Sequence, residues 1–193
     1  MKKQLIGSWL TINNLFIAEF MATFDFDWLC IDMEHSVIDY KSAQQMVLAI
    51  QSKGIKAYIR VGENNPRIIK RALDTGVEGL IIPNVNSLIE AKNALMYANY
   101  PPKGSRGVGL SRAQGYGFDF ESYRDRKSKE IKLIVQIEHI NAIKELDDII
   151  SIDGIDGTLI GPYDLSASMG KPGEWNDPDV KDALNRYLKI SKK

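Results

Sequence analysis

Two carboxylates stand just beyond neighbouring apolar runs. Glu138 follows KLIVQI in KLIVQIEHI (132–140), and Asp164 follows the apolar part of GTLIGPYDLS (157–166). Two such runs that deliver carboxylates to one place create repulsion, which either forces one group neutral or calls for a cation. Oxygen ligands with open positions suit Mg²⁺ or Mn²⁺, with water and a chelating substrate filling the remaining positions. Zinc fits less well, because the chain has only His35 and His139 and a single cysteine. The same carboxylates could instead cap the helices that follow them, and spacing alone does not choose between the two. A second group, CIDMEHS (30–36), brings Asp32, Glu34 and His35 together. A histidine beside carboxylates can act as a base of tuned pKa. For this stretch taken alone, an exposed loop histidine is the simpler reading. Arg60 ends the apolar run KAYIRV (56–61) and needs an anionic partner there. That partner is either a structural salt bridge or a substrate carboxylate or developing oxyanion. His139 opens a helix and is assigned no chemistry. Cys30 has no activating neighbour. The glycine-rich SRGVGLSRA lacks the G-K-[ST] of a phosphate loop.

These residues are positioned by a regular alternation. The runs QLIGSWL (4–10), DWLCID (27–32), KAYIRV (56–61), GLIIPNV (79–85), KLIVQIE (132–138) and GTLIGP (157–162) are β-branched or aromatic and bounded by Gly, Asp or Pro, so they read as strands. Helical patterns lie between them. DYKSAQQMVLAIQSKG has an Asp cap and a glycine stop, NPRIIKRALDTG has Pro66 in its first turn and stops at Gly76, and SLIEAKNALMYANYPP begins at Ser87. NNLFIAEFMATF, HINAIKELDDII and DPDVKDALNRYLKISKK supply the others. Alternating strands and helices with uniformly apolar strands imply a parallel sheet covered by helices. Either a doubly wound open sheet or a (β/α) barrel meets this pattern. No G-x-G-x-x-G follows the first strand, and Asp32, Arg60, Asn84, Glu138 and Asp164 all fall at strand C-termini, which is barrel logic. One insertion, KGSRGVGLSRAQGYGFDF (103–120), interrupts the rhythm, and no linker divides the chain, so residues 1–193 are expected to form one domain.

Composition sets the wider bounds. The chain has 193 residues, 44% apolar and 26% charged, with Lys plus Arg equal to Asp plus Glu. The zero net charge offers no electrostatic footprint for nucleic acid or an anionic membrane. No run approaches the roughly 20 apolar residues of a membrane span. The N-terminal MKKQLIGSWL is too short for a secretory signal. One buried-type cysteine excludes an internal disulfide and fits a reducing cytoplasm, the expected location.

Taken in order, DWLCIDMEH, YIRV, IIPNVNS, YPPKGSRGVG, LIVQIE and GIDGTLIGPYDLSASMG resemble the HpcH/HpaI aldolase family, from residue 5 to about residue 190. The resemblance implies a TIM-type (β/α) barrel of the phosphoenolpyruvate/pyruvate class and a class II, metal-dependent aldolase. Such an enzyme cleaves a 4-hydroxy-2-oxo acid to pyruvate and an aldehyde. It implies further that Glu138 and Asp164 hold a divalent cation (Mg²⁺ or Mn²⁺, with Co²⁺ as a further candidate), that Arg60 binds the pyruvate oxygen, and that His35 is the base, supported by Asp32. Gln136 and the Gly161-Pro162-Tyr163 turn would line the substrate, and Asp74 matches another acidic family position. No Schiff-base lysine is implied, and Lys56 and Lys132 begin strands at the far rim. A full barrel takes about 250 residues. Six units are present here, so a barrel lacking two βα units is expected. Its exposed edges call for a homo-oligomer. The terminal helix either packs on its own strand or reaches a neighbour, with Val180, Ala183, Leu184, Tyr187 and Leu188 as its apolar stripe. A citryl- or malyl-CoA-type lyase would need a basic groove, for which only Arg106 and Arg112 offer material. A non-catalytic pyruvate-binding or assembly protein would fit the missing units.

Overall fold

A computed structural model describes residues 4–192. Six strands form one parallel sheet in sequential order: β1 (Gly7–Leu10), β2 (Trp28–Asp32), β3 (Lys56–Arg60), β4 (Gly79–Ile82), β5 (Lys132–Ile137) and β6 (Gly157–Ile160). The helices are α1 (Leu15–Met21), α2 (Tyr40–Ser52), α3 (Pro66–Asp74), α4 (Leu88–Ala98), α5 (Phe120–Asp125), α6 (Ile140–Lys144), α7 (Leu146–Ile150), α8 (Pro162–Ser168) and α9 (Pro178–Ile190). Sequential order excludes the doubly wound arrangement, in which strand order reverses part-way across the sheet. Right-handed crossovers between successive neighbours keep the helices on one face and curl the sheet into part of a barrel. The edges of β1 and β6 are not paired with each other. Among the described residues no helix is long and apolar enough to cross a membrane.

Caps place the helix starts. Asn14, Asp39, Asn65, Ser87, His139 and Asp177 each accept a backbone N–H of the following first turn, satisfying donors that the helix itself leaves open. The HINAIKELDDII segment forms two short helices rather than one. Its break is at Glu145, whose carboxylate accepts the Leu88 N–H at 2.6 Å and so ties this segment to the start of α4.

The period-2 alternation of the strands separates two cores. Leu29, Ile31, Ile59, Leu80, Ile82, Val135 and Ile137 face the helices and join Met46, Ile50, Ile69, Leu73 and Leu146 in the main core. The other face carries Cys30, Tyr58 and Ile81, with Trp9, Trp28, Ile134 and Leu159 packed against them half-buried. Trp28 and Tyr58 stack at 5.7 Å with planes 15° apart. Each ring lies where the next strand offers glycine: a Cβ on Gly7 would meet the Trp28 indole at 2.0 Å, and one on Gly79 would meet the Tyr58 ring at 2.8 Å. The terminal helix packs on its own strand, with Val180, Ala183 and Tyr187 buried and the Tyr187 hydroxyl 2.9 Å from Thr158 Oγ1. Leu188 is turned outward.

Candidate active site

Parallel strands end at one rim, and the register carries their last inward side chains to a common mouth. Asp32 pairs across the ladder with Arg60. Arg60 clasps Asp32 through two bonds, Nε to Oδ1 at 2.9 Å and Nη2 to Oδ2 at 2.6 Å. Its guanidinium lies over the Trp9 ring at 4.8 Å, and Nη1 reaches Gln136 Oε1 at 3.4 Å. Asp32 Oδ1 also accepts the backbone N–H groups of Glu34 and His35. Burial pushes the Asp32 carboxyl up, but the Arg60 bonds and these N–H groups outweigh it and hold it below the usual carboxylate range. Burial likewise works against the Arg60 charge, and the Asp32 bonds more than restore it.

Asp32 supports the loop that carries His35 but does not bond its ring. The carboxylate beside the ring is Glu34, with Oε2 3.7 Å from His35 Nε2 and 3.3 Å from Arg60 Nε. Burial pushes the Glu34 carboxyl up, and the neighbouring Arg60 and His35 only partly offset this. The His35 side chain is 68% exposed at the mouth.

On the next strands, Glu138 is buried and held at both oxygens. Oε1 accepts the Asn84 N–H at 2.7 Å, and Oε2 accepts the Gln136 side-chain amide. Asn84 provides that N–H from a left-handed backbone, φ 54°, which asparagine tolerates better than most residues. Gly161 leaves room for this arrangement, since a Cβ there would lie 2.8 Å from Glu138 Oε2. Asp164 sits in the first turn of α8, exposed, with Gly161 as the cap residue and Pro162 in the first turn. It therefore does not act as the helix cap that its position in the sequence allows, and among the described residues no hydrogen bond or ion pair engages its carboxylate. The Tyr163 ring is exposed and meets Trp175 edge-on at 6.2 Å. Asp32, Glu34, His35, Arg60, Gln136 and Glu138 are thus linked by contacts across β2, β3 and β5, with Gly161 against Glu138 and Asp164 three residues on.

As to a metal, the donor set is two carboxylates. No group of three or more His, Cys, Asp or Glu side chains among the described residues is arranged to hold an ion. Such a sparse oxygen set does not suit a structural zinc site. It does fit Mg²⁺ or Mn²⁺, which keep several waters and share coordination with a substrate. Glu138 is fixed by neutral donors and retains lone pairs, and Asp164 is free to turn.

Asp74, expected among the site residues, lies outside this cluster. It ends α3, which starts at the mouth rim and runs away from it, so its last turn lies at the opposite rim. There its carboxylate accepts Arg106 Nη2 at 2.8 Å and Gln114 Nε2 at 3.1 Å. Arg106 is buried and also bonds the Tyr123 hydroxyl, while Arg112 donates to Thr75 O and Gln51 Oε1. Both arginines of the glycine-rich insertion are therefore tied internally, and neither lines the mouth. A cavity of about 460 Å³ beside Arg112, lined also by Gln51, Glu78 and Tyr123, belongs to this other rim. Cys30 is fully buried and its thiol is pushed far up by that burial, as befits a packing residue.

The model of the HpcH/HpaI aldolase/citrate lyase family matches residues 5–193. The chain belongs to this family. Within the HpcH/HpaI family, a hydroxypyruvate/pyruvate aldolase of Sagittula stellata is 40% identical over 189 residues, covering 97% of this chain and 74% of that protein. A 2-keto-3-deoxy-L-rhamnonate aldolase of Klebsiella pneumoniae is 38% identical, covering 95% and 69%. The crystal structure of an HpcH/HpaI aldolase/citrate lyase family protein from Burkholderia cenocepacia superposes with a TM-score of 0.92 at 33% identity, over 98% of this chain and 76% of that one. The chain thus spans about three quarters of the length of these HpcH/HpaI relatives.

Proposed function

We propose that this protein is a class II aldolase, a carbon–carbon lyase that cleaves 4-hydroxy-2-oxo acids to pyruvate and an aldehyde. The observation that carries the reading is the linked mouth itself. A clamped arginine, an exposed histidine and a buried carboxylate come from successive strand ends of an aldolase-family barrel. Glu138 and Asp164 hold a divalent cation, Mg²⁺ or Mn²⁺ or, as a further candidate, Co²⁺. When bound, that cation supplies Lewis-acid polarisation of the 2-oxo group. Arg60, its plane fixed by Asp32 and by stacking on Trp9, offers donors to the same oxygen as it gains charge. Gln136, placed between Arg60 and Glu138, orients the 2-oxo acid, and the Gly161-Pro162-Tyr163 turn lines it. His35 takes the proton of the 4-hydroxyl. The C3–C4 bond then breaks, its electron pair stays on C3 as the enolate of pyruvate, and C4 leaves as the aldehyde. Protonation at C3 completes pyruvate. Lys132 begins β5, at the far rim, and is paired with Asp156, so no amine stands at the mouth for a Schiff base.

Nothing in the positions of Arg106 and Arg112 favours a CoA-type substrate, because both are bonded at the opposite rim. The unpaired edges of β1 and β6 and the half-buried Trp9, Trp28, Ile134 and Leu159 support a homo-oligomer that covers them, in the cytoplasm. Light scattering at several concentrations tests that assembly. The activity is tested by pyruvate release from a panel of 4-hydroxy-2-oxo acids with and without Mg²⁺, Mn²⁺ or Co²⁺. Metal-stimulated release is the expected result, and no release from any member of the panel would refute the reading.

A further inference from the structure

Glu34 carries a buried carboxylate oxygen, Oε2, that accepts no hydrogen bond. Buried acceptors are rarely left this way without a reason. Arg60 Nε is 3.3 Å off, but its single proton is donated to Asp32 Oδ1. The other cationic or donor group within ion-pair reach is the His35 imidazole, with Nε2 at 3.7 Å. Asp32 cannot serve that ring as it stands: Oδ1 takes Arg60 Nε and two backbone N–H groups, and Oδ2 takes Arg60 Nη2. Glu34 also faces Glu138 from β5 and Asp32 from its own strand end, so a donor is the only neighbour that would relieve it.

We infer that Glu34 is the positioning residue for His35, accepting its Nε2–H and leaving Nδ1 as the nitrogen that takes the substrate proton. The ring needs only a small tilt, since about 0.5–1 Å separates the present distance from an ordinary hydrogen bond. Which ring nitrogen is basic is set by the bond the other one makes. Asp32 then has a different task, which is to hold Arg60 flat and to pin the loop through its backbone. The inference rests on His35 being the base in the proposed aldolase reaction.

The test uses the full chain labelled with ¹⁵N-histidine. There are two histidines, and His139→Asn removes the second ring while keeping a side chain that can cap α6. The neutral His35 ring is expected to report a proton on Nε2. Glu34→Met, similar in length but without an acceptor, should abolish that preference. It should slow cleavage at least about tenfold and leave competitive inhibition by pyruvate unchanged. Glu34→Gln keeps an acceptor oxygen and should keep both the tautomer and most of the rate. Glu34→Ala, which only removes atoms, gives the same reading as methionine should the longer side chain disturb the loop. Unchanged ring signals in Glu34→Met and Glu34→Ala would overturn the inference. So would cleavage and pyruvate inhibition falling together, which would mean that Glu34 acts through Arg60. If the unaltered chain cleaves no 4-hydroxy-2-oxo acid, the aldolase reading fails, while the ring signals still decide the Glu34–His35 contact.

Discussion

Replacing Gly161 by alanine probes the site with a single methyl group. Its φ of −100° is ordinary for alanine, so no backbone strain accompanies the change. The added carbon would lie 2.8 Å from Glu138 Oε2, 2.9 Å from Glu138 Cβ and 3.4 Å from Gln136 Nε2. For ordinary contact Glu138 must withdraw by about 0.6 Å. It cannot do so freely, because the Asn84 N–H at 2.7 Å and the Gln136 amide hold its two oxygens. Overpacking of this kind costs about 1–3 kcal/mol, which for a chain of this size lowers Tm by about 2–12 °C. The effect on function is larger, since misplacement by about 1 Å can cost 10²-fold in rate. Calorimetric titration with Mg²⁺ or Mn²⁺ should show affinity weakened by about tenfold or more, and pyruvate release should fall by about 10- to 100-fold. Wild-type affinity and rate in G161A would refute the placement of Glu138 as a metal ligand against this turn.

Three other outcomes are expected. Arg60→Lys keeps the charge but loses the two-point clasp on Asp32, the reach to Gln136 and the stack on Trp9, so cleavage should fall about 10²-fold and pyruvate inhibition should weaken; wild-type behaviour in both assays would make Arg60 structural. Glu138→Ala and Asp164→Ala should each abolish divalent-ion binding, and chelator-treated protein should regain turnover with Mg²⁺ or Mn²⁺; full activity in excess chelator would refute metal dependence. Asp32 and Glu34 should carry opposite signs in pH-dependent melts. The depressed Asp32 group stabilises the fold above its unfolded value of about 4, and this is lost as pH falls through the folded value, so the deficit of Asp32→Asn should shrink below about pH 4. The raised Glu34 group is penalised when ionised, so stability falls as pH rises from about 4.5 through its folded value. Glu34→Gln should therefore melt at or above wild type at pH 7 and match it near pH 4.

The scaffold was legible because its signals are local. Apolar runs place all six strands, and Asp39, Pro66, Ser87 and His139 mark helix starts within a residue or so of where they occur. The strand-end side chains Asp32, Arg60, Gln136 and Glu138 follow from the same reading, because a parallel sheet delivers every strand C-terminus to one rim. What failed depended on distant partners. Asp74 could be placed at the wrong rim only by a partner 32 residues away, Arg106, whose burial no local pattern reveals. The break at Glu145 answers to Leu88, 57 residues earlier. Glu34 stood beside His35 in plain view. Its unsatisfied oxygen, however, depends on Arg60 turning its one Nε proton towards Asp32, which is a matter of three-dimensional direction.

The rings beneath the mouth tie neighbouring strands into shared accounts of volume. Trp28 fills space that Gly7 leaves, and Tyr58 fills space that Gly79 leaves. Sequence drift at these places is therefore yoked: Gly79 can gain a side chain only as Tyr58 gives one up. A library that varied one position at a time would score both as immutable. A library that varied the two together would recover chains in which bulk has changed strands, with Arg60 and Asp32 carried unchanged one step above.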